Sequence, residues 1–218
     1  PEGVWVTEQS SLAGMLATNA FDAICHEHLE FYSATVLVDL MRRHGLRVFD
    51  IAFNDSNGGS SRLFVCHDGA ARPTSPAVAD ALAREQAEGL TTAAPLVAFR
   101  DRCESIRDQL VALVESLRAE GRTIHLYGAS TKGNTLLQYC GLDHRHIAMA
   151  AERNPAKWGR TTPRTLIPIV SEADSRAARP DYFLVLPWHF QAESLERERD
   201  FRADGGKMIF PLPEVTVV

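Results

Sequence analysis

The last hundred residues alternate between short apolar runs and helical patterns, and this alternation constrains the fold more than any other feature of the sequence. Four apolar runs are predicted strands: residues 123–127, 147–151, 182–186 and 208–210. Two helices are predicted between them, at residues 133–140 and 191–202. Continuous apolar strands separated by helices are typical of a parallel sheet covered on both faces. The sequence therefore predicts an α/β fold that ends in a Rossmann-like parallel-sheet domain.

The first third of the chain follows a different pattern. Residues 4–8 alternate between apolar and polar side chains, which predicts a strand. Apolar positions recur every three or four residues from 29 to 44, which predicts an amphipathic helix that ends before Gly45. Two β-rich runs, 46–53 and 62–67, flank a loop of Asn, Asp, Ser and Gly residues. Such a loop between β-rich runs predicts a hairpin.

A change of composition separates these two parts of the chain. Residues 68–76 contain two prolines and show no periodicity, which indicates a boundary. Two helices, at 77–88 and 95–119, are predicted after it. We therefore expect three regions: residues 1–72, a helical connection at 73–120, and the Rossmann-like domain at 121–218.

Composition and charge exclude several classes of protein. The 218 residues carry a net charge of −5 and contain no run of Lys and Arg, which argues against a nucleic-acid partner. No apolar stretch approaches the roughly 20 residues that a membrane span needs. The four cysteines are scattered, with none of the spacings of a zinc site, so we expect reduced thiols in a cytoplasmic protein. The chain opens on Pro1 and runs directly into a strand, so we expect it to be part of a longer protein.

The densest cluster of reactive side chains is Cys25-His26-Glu27-His28. The unperturbed pKa of imidazole, about 6.5, suits proton transfer at neutral pH, and an adjacent carboxylate can fix the tautomer of the ring. A metal site is a second interpretation, although no further ligand pair is spaced to complete it. A solvated cluster that caps a helix is the third. Composition alone leaves these alternatives open.

A second motif, residues 128–135, is a Gly-rich turn between a predicted strand and a predicted helix. Backbone N–H groups in that position can bind a phosphate. The dinucleotide-binding pattern requires glycine where Ser130 stands, and a P-loop requires lysine where Asn134 stands. Glu152, at the end of the next strand, occupies the position of a ribose-binding acid. A phosphate or nucleotide site and a simple tight turn both remain open.

Together, several segments resemble the sugar C-methyltransferases of deoxysugar biosynthesis, which use S-adenosylmethionine to methylate a carbon of a nucleotide-linked keto-deoxysugar. The segments that carry the resemblance are residues 21–33, 58–62, 127–135, 152–157 and 182–188. They follow in the expected order from Pro1 to about Val215. Members of this family contain a small zinc-binding domain, a class I methyltransferase domain and a C-terminal Rossmann-like domain.

The resemblance implies a position for each region. Residues 1–72 would be the end of the methyltransferase sheet, with the hairpin as its last strands. The loop that binds S-adenosylmethionine and the cysteines that bind zinc would lie upstream, so we expect no metal here and no activity from this chain alone. The expected substrate is a nucleotide-linked, dTDP-type keto-deoxysugar; no oligomeric state is predicted.

The resemblance also implies roles for individual residues. His28 would be the general base that removes the proton next to the sugar ketone, and Glu27 would orient the sugar or the imidazole. Cys25 stands where the family often has tyrosine. The residues expected to contact the substrate are Cys25, His26, Gly128, Ser130, Lys132 and Asn134. Two other classes of function remain: a non-catalytic module that binds NAD or a sugar nucleotide, and a purely structural domain.

Overall fold

The computed structural model describes residues 2–218, and for Asn57 the backbone alone. The described chain forms two compact units. The first contains residues 2–20 and 28–101, and the second contains residues 21–27 and 102–218. The predicted α/β fold is confirmed, because the second unit contains a six-stranded, mostly parallel sheet with helices between its strands.

The first unit is built on a three-stranded antiparallel sheet. Its elements are β1 (Trp5–Ser10), α1 (Leu12–Ala17), α2 (Ala34–Arg43), β2 (Leu46–Asn54), β3 (Ser60–His67) and α3 (Pro76–Ala87). The strand order is β1-β3-β2, so the second strand of the hairpin lies in the middle. The predicted hairpin is confirmed.

Apolar side chains from α2, α3 and the sheet form the core of the first unit. The buried members are Ala34, Leu37, Met41, Val48, Ile51, Leu63, Val65, Val78 and Ala81. The prediction that the α2 helix begins at Leu29 is wrong: it begins at Ala34, after the N-cap residue Ser33. Leu29 is 89% exposed, so its apolar side chain does not belong to the buried face of a helix.

The longest helix, α4, runs from Ala94 to Ala119, and the division between the two units falls within it at residue 101. Its buried positions recur every three or four residues: Phe99, Cys103, Ile106, Leu110, Val114 and Leu117. Among residues 2–218, no helix is both long enough and apolar enough to cross a membrane.

The second unit contains the parallel sheet. Its elements are β4 (Ile124–Tyr127), α5 (Thr131–Cys140), β5 (Met149–Glu152), β6 (Ile169–Ser171), α6 (Glu172–Ala177), β7 (Tyr182–Val185), α7 (Gln191–Arg197), α8 (Arg199–Ala203), β8 (Lys207–Phe210) and β9 (Thr216–Val217). The strand order is β6-β5-β4-β7-β8-β9, with β9 antiparallel to β8 and the others parallel. The order reverses between β4 and β7, which is the switch point where ligands bind in open α/β sheets.

The predicted single helix at 191–202 is instead two helices, α7 and α8, which are interrupted at Glu198. The side chain of Glu198 is buried and accepts a hydrogen bond from Arg176 Nε at 3.1 Å, and it also pairs with the Nη2 of that residue. A pattern of charged residues predicts a solvated helix, but the Glu198 side chain faces inward, where it is buried and paired with half-exposed Arg176.

Candidate functional site

The Cys25–His28 motif lies in a loop between a short 3-10 helix at Phe21–Ala23 and the beginning of α2. Cys25 is buried, His26 and Glu27 are exposed, and His28 is half-buried. The ring of His28 meets the ring of Phe31 edge-on, with centroids 6.3 Å apart and planes at 76°. The imidazole therefore lies against an aromatic ring.

The side chain of Glu27 lies near that of His26 within the motif. Its Oε1 lies 4.0 Å from Nε2 of His26. Both side chains are largely in solvent, at 58% and 83% exposure, so the attraction between them is weak. The pair therefore leaves the Glu27 carboxylate accessible to a ligand.

The residues just before the motif are held within the second unit. Asp22 Oδ2 accepts a hydrogen bond of 2.9 Å from the indole N–H of Trp188, and both side chains are buried. The ring of Phe21 contacts the ring of Tyr139, with centroids 5.1 Å apart. The sequence pattern predicts no role for Asp22 or Trp188, because a contact across 166 residues leaves no local signal.

Asp22 lies in a polar cluster that is only partly hydrogen-bonded. Burial raises the pKa of Asp22, against the opposing effects of the Trp188 hydrogen bond and the nearby charges of Lys132 and His189. Burial lowers the pKa of His189, and the positive charge of Lys132 lowers it further. Asp22 Oδ1 and His189 Nδ1 are buried without a hydrogen-bond partner. The cluster therefore brings a half-buried ammonium group and a half-buried imidazole close to a buried carboxyl group.

A cleft of about 470 Å³ opens at the carboxyl ends of β4, β5 and β7, at the switch point of the sheet. The residues that line it are Tyr127, Gly128, Ala129, Ser130, Ala151, Glu152, Arg153, Lys157, Glu172, Pro187, Phe190, Glu193, Ser194 and Arg197. Of the four residues predicted to contact a nucleotide sugar in this domain, Gly128 and Ser130 line the cleft. Lys132 and Asn134 lie on α5 and are not among its lining residues.

The Gly-rich turn retains two of the three glycine positions of a dinucleotide-binding loop. Gly128 has a φ of +85°, and a Cβ there would lie 3.2 Å from Cδ of Pro187. A Cβ on Gly133 would lie 2.5 Å from Cδ1 of Leu186, so only glycine allows α5 to pack this closely on the chain after β7. At the middle position, Ser130 Oγ instead accepts a hydrogen bond from Gly133 N at 3.0 Å and caps α5.

The side chain of Glu152 is hydrogen-bonded within the protein. Its carboxylate accepts bonds from the backbone N–H of Ala129 and Asn154 and from Lys157 Nζ, at 3.0–3.1 Å. Lys157 Nζ also donates to Ala129 O at 2.8 Å. Although burial raises the pKa of Glu152, these hydrogen bonds outweigh burial and hold that pKa below its usual value. Glu152 and Lys157 therefore fix the Gly-rich turn, and the acid is not free to bind a ribose.

Comparison with known proteins assigns the chain to a family. Residues 55–213 match the C-methyltransferase C-terminal domain. The chain belongs to the C-methyltransferase family. Over 218 residues it is 38% identical to the C-methyltransferase NovU of Streptomyces niveus, across the whole of this chain and 52% of the relative. The chain thus spans about half the length of this curated relative, and the resemblance to C-methyltransferases stated from the sequence is confirmed.

The family match covers the Gly-rich turn and Glu152 but begins after the Cys25–His28 motif. That motif lies in the part of the chain that aligns with NovU. Within residues 2–218, no three His, Cys, Asp or Glu side chains are grouped in a way that could hold a metal ion.

Proposed function

We propose that this chain is the C-terminal part of a C-methyltransferase that transfers the methyl group of S-adenosylmethionine to a carbon of a nucleotide-linked, dTDP-type keto-deoxysugar. The observation that carries the proposal is the alignment of the whole chain with a C-methyltransferase, together with a loop that presents an imidazole and an accessible carboxylate side by side. In this proposal the protein acts in the cytoplasm.

His28 is the general base in this proposal. Its ring nitrogen takes the proton from the carbon next to the sugar ketone, and the electron pair of the broken C–H bond moves into the enolate. Its half-buried position against Phe31 limits the rotation of the ring, so the nitrogen meets the substrate in few orientations. A base positioned in this way contributes about 10²–10⁴ in rate. After the reaction, the imidazolium releases its proton to solvent.

Glu27 and the other polar residues of the loop orient the sugar. The Glu27 carboxylate is exposed and accepts hydrogen bonds from sugar hydroxyls, and exposed His26 adds a further contact to the same ring; for buried Cys25 that role stays a prediction. Alignment of the reacting carbon supplies the remainder of the acceleration. Gly128 and Ser130, which line the cleft of the second unit, are candidates to contact the nucleotide; for Lys132 and Asn134 that role stays a prediction.

When bound, S-adenosylmethionine supplies the electrophilic methyl group that the enolate carbon takes up. The Gly-rich turn of the second unit does not fit that group in the manner of a nucleotide-binding loop, because Glu152 already accepts the N–H of Ala129 and Ser130 occupies the middle glycine position.

The test is methyl transfer by the complete natural reading frame, with radiolabelled S-adenosylmethionine and dTDP-4-keto-6-deoxyglucose as the probe. We expect labelled sugar from the unaltered enzyme. The His28→Ala variant should lose 10²–10⁴-fold in kcat while it binds the methyl donor with unchanged Kd. The matched control is His44→Ala, at the exposed end of α2, which should keep full activity. Full activity of His28→Ala would refute the assignment of the base.

A second candidate is a non-catalytic module in which the second unit binds NAD or a sugar nucleotide. The strand order and the cleft at the switch point favour it. The hydrogen bonds of Glu152 and the side chain of Ser130 disfavour NAD, since a dinucleotide needs a free acid and a bare loop.

Calorimetric titration of this chain with NAD and with dTDP separates the candidates. Binding of NAD alone would support the second candidate. Binding of dTDP with no NAD binding would support a contact between the cleft and the nucleotide of the sugar substrate. If neither binds, the cleft has no nucleotide role, and methyl transfer by the complete protein decides the first proposal by itself.

A further inference from the structure

The hydrogen bond between Asp22 and Trp188 joins the segment that leads into the Cys25–His28 motif to the Rossmann-like unit. We propose that Asp22 and Trp188 are positioning residues, which hold this segment so that His28 reaches its substrate. The inference rests on the proposed function, because it assigns to the parallel-sheet unit the task of fixing the loop that carries the general base.

Residues 21–27 pack in a different unit from the residues next to them in the chain. Residues 21–27 group with the second unit, although the residues on both sides of them, 2–20 and 28–101, group with the first. The short 3-10 helix at Phe21–Ala23 packs against α5. Residues 21–27 are distant in sequence from the rest of the second unit, so specific side-chain contacts must attach them to it.

Two contacts of different character supply that attachment. Phe21 packs its ring on Tyr139, and Asp22 accepts the indole N–H of Trp188 at 2.9 Å. Ring packing restrains a segment loosely, whereas a buried hydrogen bond to a carboxylate has a strict distance and direction. The Asp22 hydrogen bond therefore fixes the position and orientation of residues 21–27 more strictly than the ring contact of Phe21 does.

The motif follows this attachment without a flexible spacer. The N–H of Ile24 donates to Phe21 O at 3.0 Å, and the N–H of Cys25 donates to Ala23 O at 2.9 Å. These tight turns continue the 3-10 helix directly into the motif, and the Cys25 side chain is buried. Backbone hydrogen bonds therefore hold the chain from Phe21 to Cys25, which ends three residues before His28.

Two groups that can carry a positive charge lie near the Asp22 carboxyl group. Lys132 and His189 act on Asp22 from the first turn of α5 and from the residue after Trp188. Asp22 Oδ1 is buried without a hydrogen-bond partner, while the carboxyl group accepts the bond from Trp188 and a backbone bond from Ala23. Loss of the indole N–H would remove a hydrogen bond from a buried carboxyl group that is already only partly satisfied.

The reactivity of the Cys25 thiol can show whether residues 21–27 are attached to the second unit. The Cys25 thiol is buried within the motif, and Cys66, in β3, is a buried thiol of the first unit. We expect iodoacetamide to alkylate Cys25 about ten-fold faster in the Trp188→Phe variant, with no change at Cys66, when the sites are mapped by mass spectrometry. The complete protein is used, and its melting temperature is recorded for each variant.

A matched substitution exists in the same unit. Trp158 also donates its indole N–H, to Glu152 O at 2.8 Å, so Trp158→Phe removes a hydrogen bond of the same kind at another place. Asp22→Ala removes the Trp188 bond from its other end and serves if Trp188→Phe fails to fold. Because the two residues form one contact, the double variant should show no more Cys25 alkylation than either single variant.

Kinetics provide the readout that a merely structural role would not change. Trp188→Phe should lower kcat for methyl transfer about ten-fold, while KM for S-adenosylmethionine stays within two-fold and Trp158→Phe matches the unaltered enzyme. Unchanged Cys25 alkylation in both Trp188→Phe and Asp22→Ala, or faster alkylation with unchanged kcat, would overturn the inference. An unaltered enzyme without methyl transfer would refute the proposed function instead, and Cys25 alkylation would still decide whether the contact holds the segment.

Discussion

Glu85, on α3, binds Thr35 at the beginning of α2 through both its backbone N–H, at 2.8 Å, and its hydroxyl, at 2.6 Å. The other carboxylate oxygen accepts the N–H of Ala34 at 2.6 Å. The first N–H groups of a helix have no partner within the helix, and the positive end of the helix dipole favours a negative charge there. Buried Glu85 therefore defines where α2 begins.

The Glu85→Ala variant should lower the free energy of unfolding by about 2–4 kcal/mol, because it leaves buried donors without a charged acceptor. Urea denaturation at pH 7.5 measures the change. Glu88→Ala, at the exposed end of the same helix, should stay within about 0.5 kcal/mol of the unaltered protein. A change below about 1 kcal/mol in Glu85→Ala would show that water replaces the carboxylate at no cost.

His125, in the middle strand of the parallel sheet, should make stability depend on pH. Burial lowers the pKa of His125 to about 4, and its Nδ1 lies 2.8 Å from Oγ of buried Ser175. The unfolded chain takes up a proton near pH 6.5, well before the folded protein does. This contribution to stability is therefore complete above about pH 6.5 and is lost as the pH falls toward 4.

The loss attributable to His125 between pH 7.5 and pH 5 should be about 2 kcal/mol. Urea denaturation at the two pH values measures it, with the His125→Asn variant as the reference, because other titrating groups contribute equally to both proteins. The same pH dependence in the two proteins would contradict the assignment to His125.

Gly133 should not tolerate a methyl group. A Cβ there would lie 2.8 Å from Cβ of Leu186, an atom that cannot move by rotating its side chain. Overpacking of this kind costs about 1–3 kcal/mol, whereas alanine gains at most about 1 kcal/mol over glycine in a helix. We therefore expect Gly133→Ala to destabilise the protein by about 1–2 kcal/mol in thermal or urea unfolding.

Gly69→Ala is the matched control for that substitution, because a Cβ at Gly69 meets no atom within 4 Å. It should leave stability unchanged within about 0.5 kcal/mol. An unchanged or raised stability of Gly133→Ala would mean that the chain after β7 moves away from α5 without cost.

The four cysteines should be unreactive in the folded protein. All four are free and buried, and burial raises the pKa of Cys103 to about 11 and of Cys140 to about 12. The thiolate is the reactive form, so these two thiols are protonated at pH 8. Ellman's reagent should modify fewer than one thiol per chain within minutes in buffer and all four in 6 M guanidinium chloride. Rapid reaction of a thiol in buffer would contradict the burial.

The sequence predicts elements well where a single local pattern decides the structure. The apolar runs that form β4, β5, β7 and β8 and the hairpin of β2 and β3 were all predicted. The beginning of α2 was predicted wrongly because Glu85, 51 residues away from Ala34, fixes it. The three-residue strand β6 was missed because so short a run has no periodicity.

In the candidate site, too, the sequence predicts motifs that are continuous along the chain and misses contacts between distant residues. The motif at Cys25–His28 and the turn at Gly128 are continuous in sequence and were therefore recognised. The bond from Trp188 to Asp22 and the bonds that Glu152 forms with Ala129 and Lys157 depend on the fold. Only the structure shows that Glu152, the acid at the ribose position, is already hydrogen-bonded within the protein.

The second unit is discontinuous along the chain, and this affects how the protein can be divided for experiments. Residues 28–101 form an insertion between residues 21–27 and the remainder of that unit. A truncated protein that starts at residue 102 would lose the partner of the Trp188 indole N–H and the ring contact of Phe21 with Tyr139. An isolated Rossmann-like domain therefore needs residues 21–27 joined to it by a new linker, as in a circular permutation.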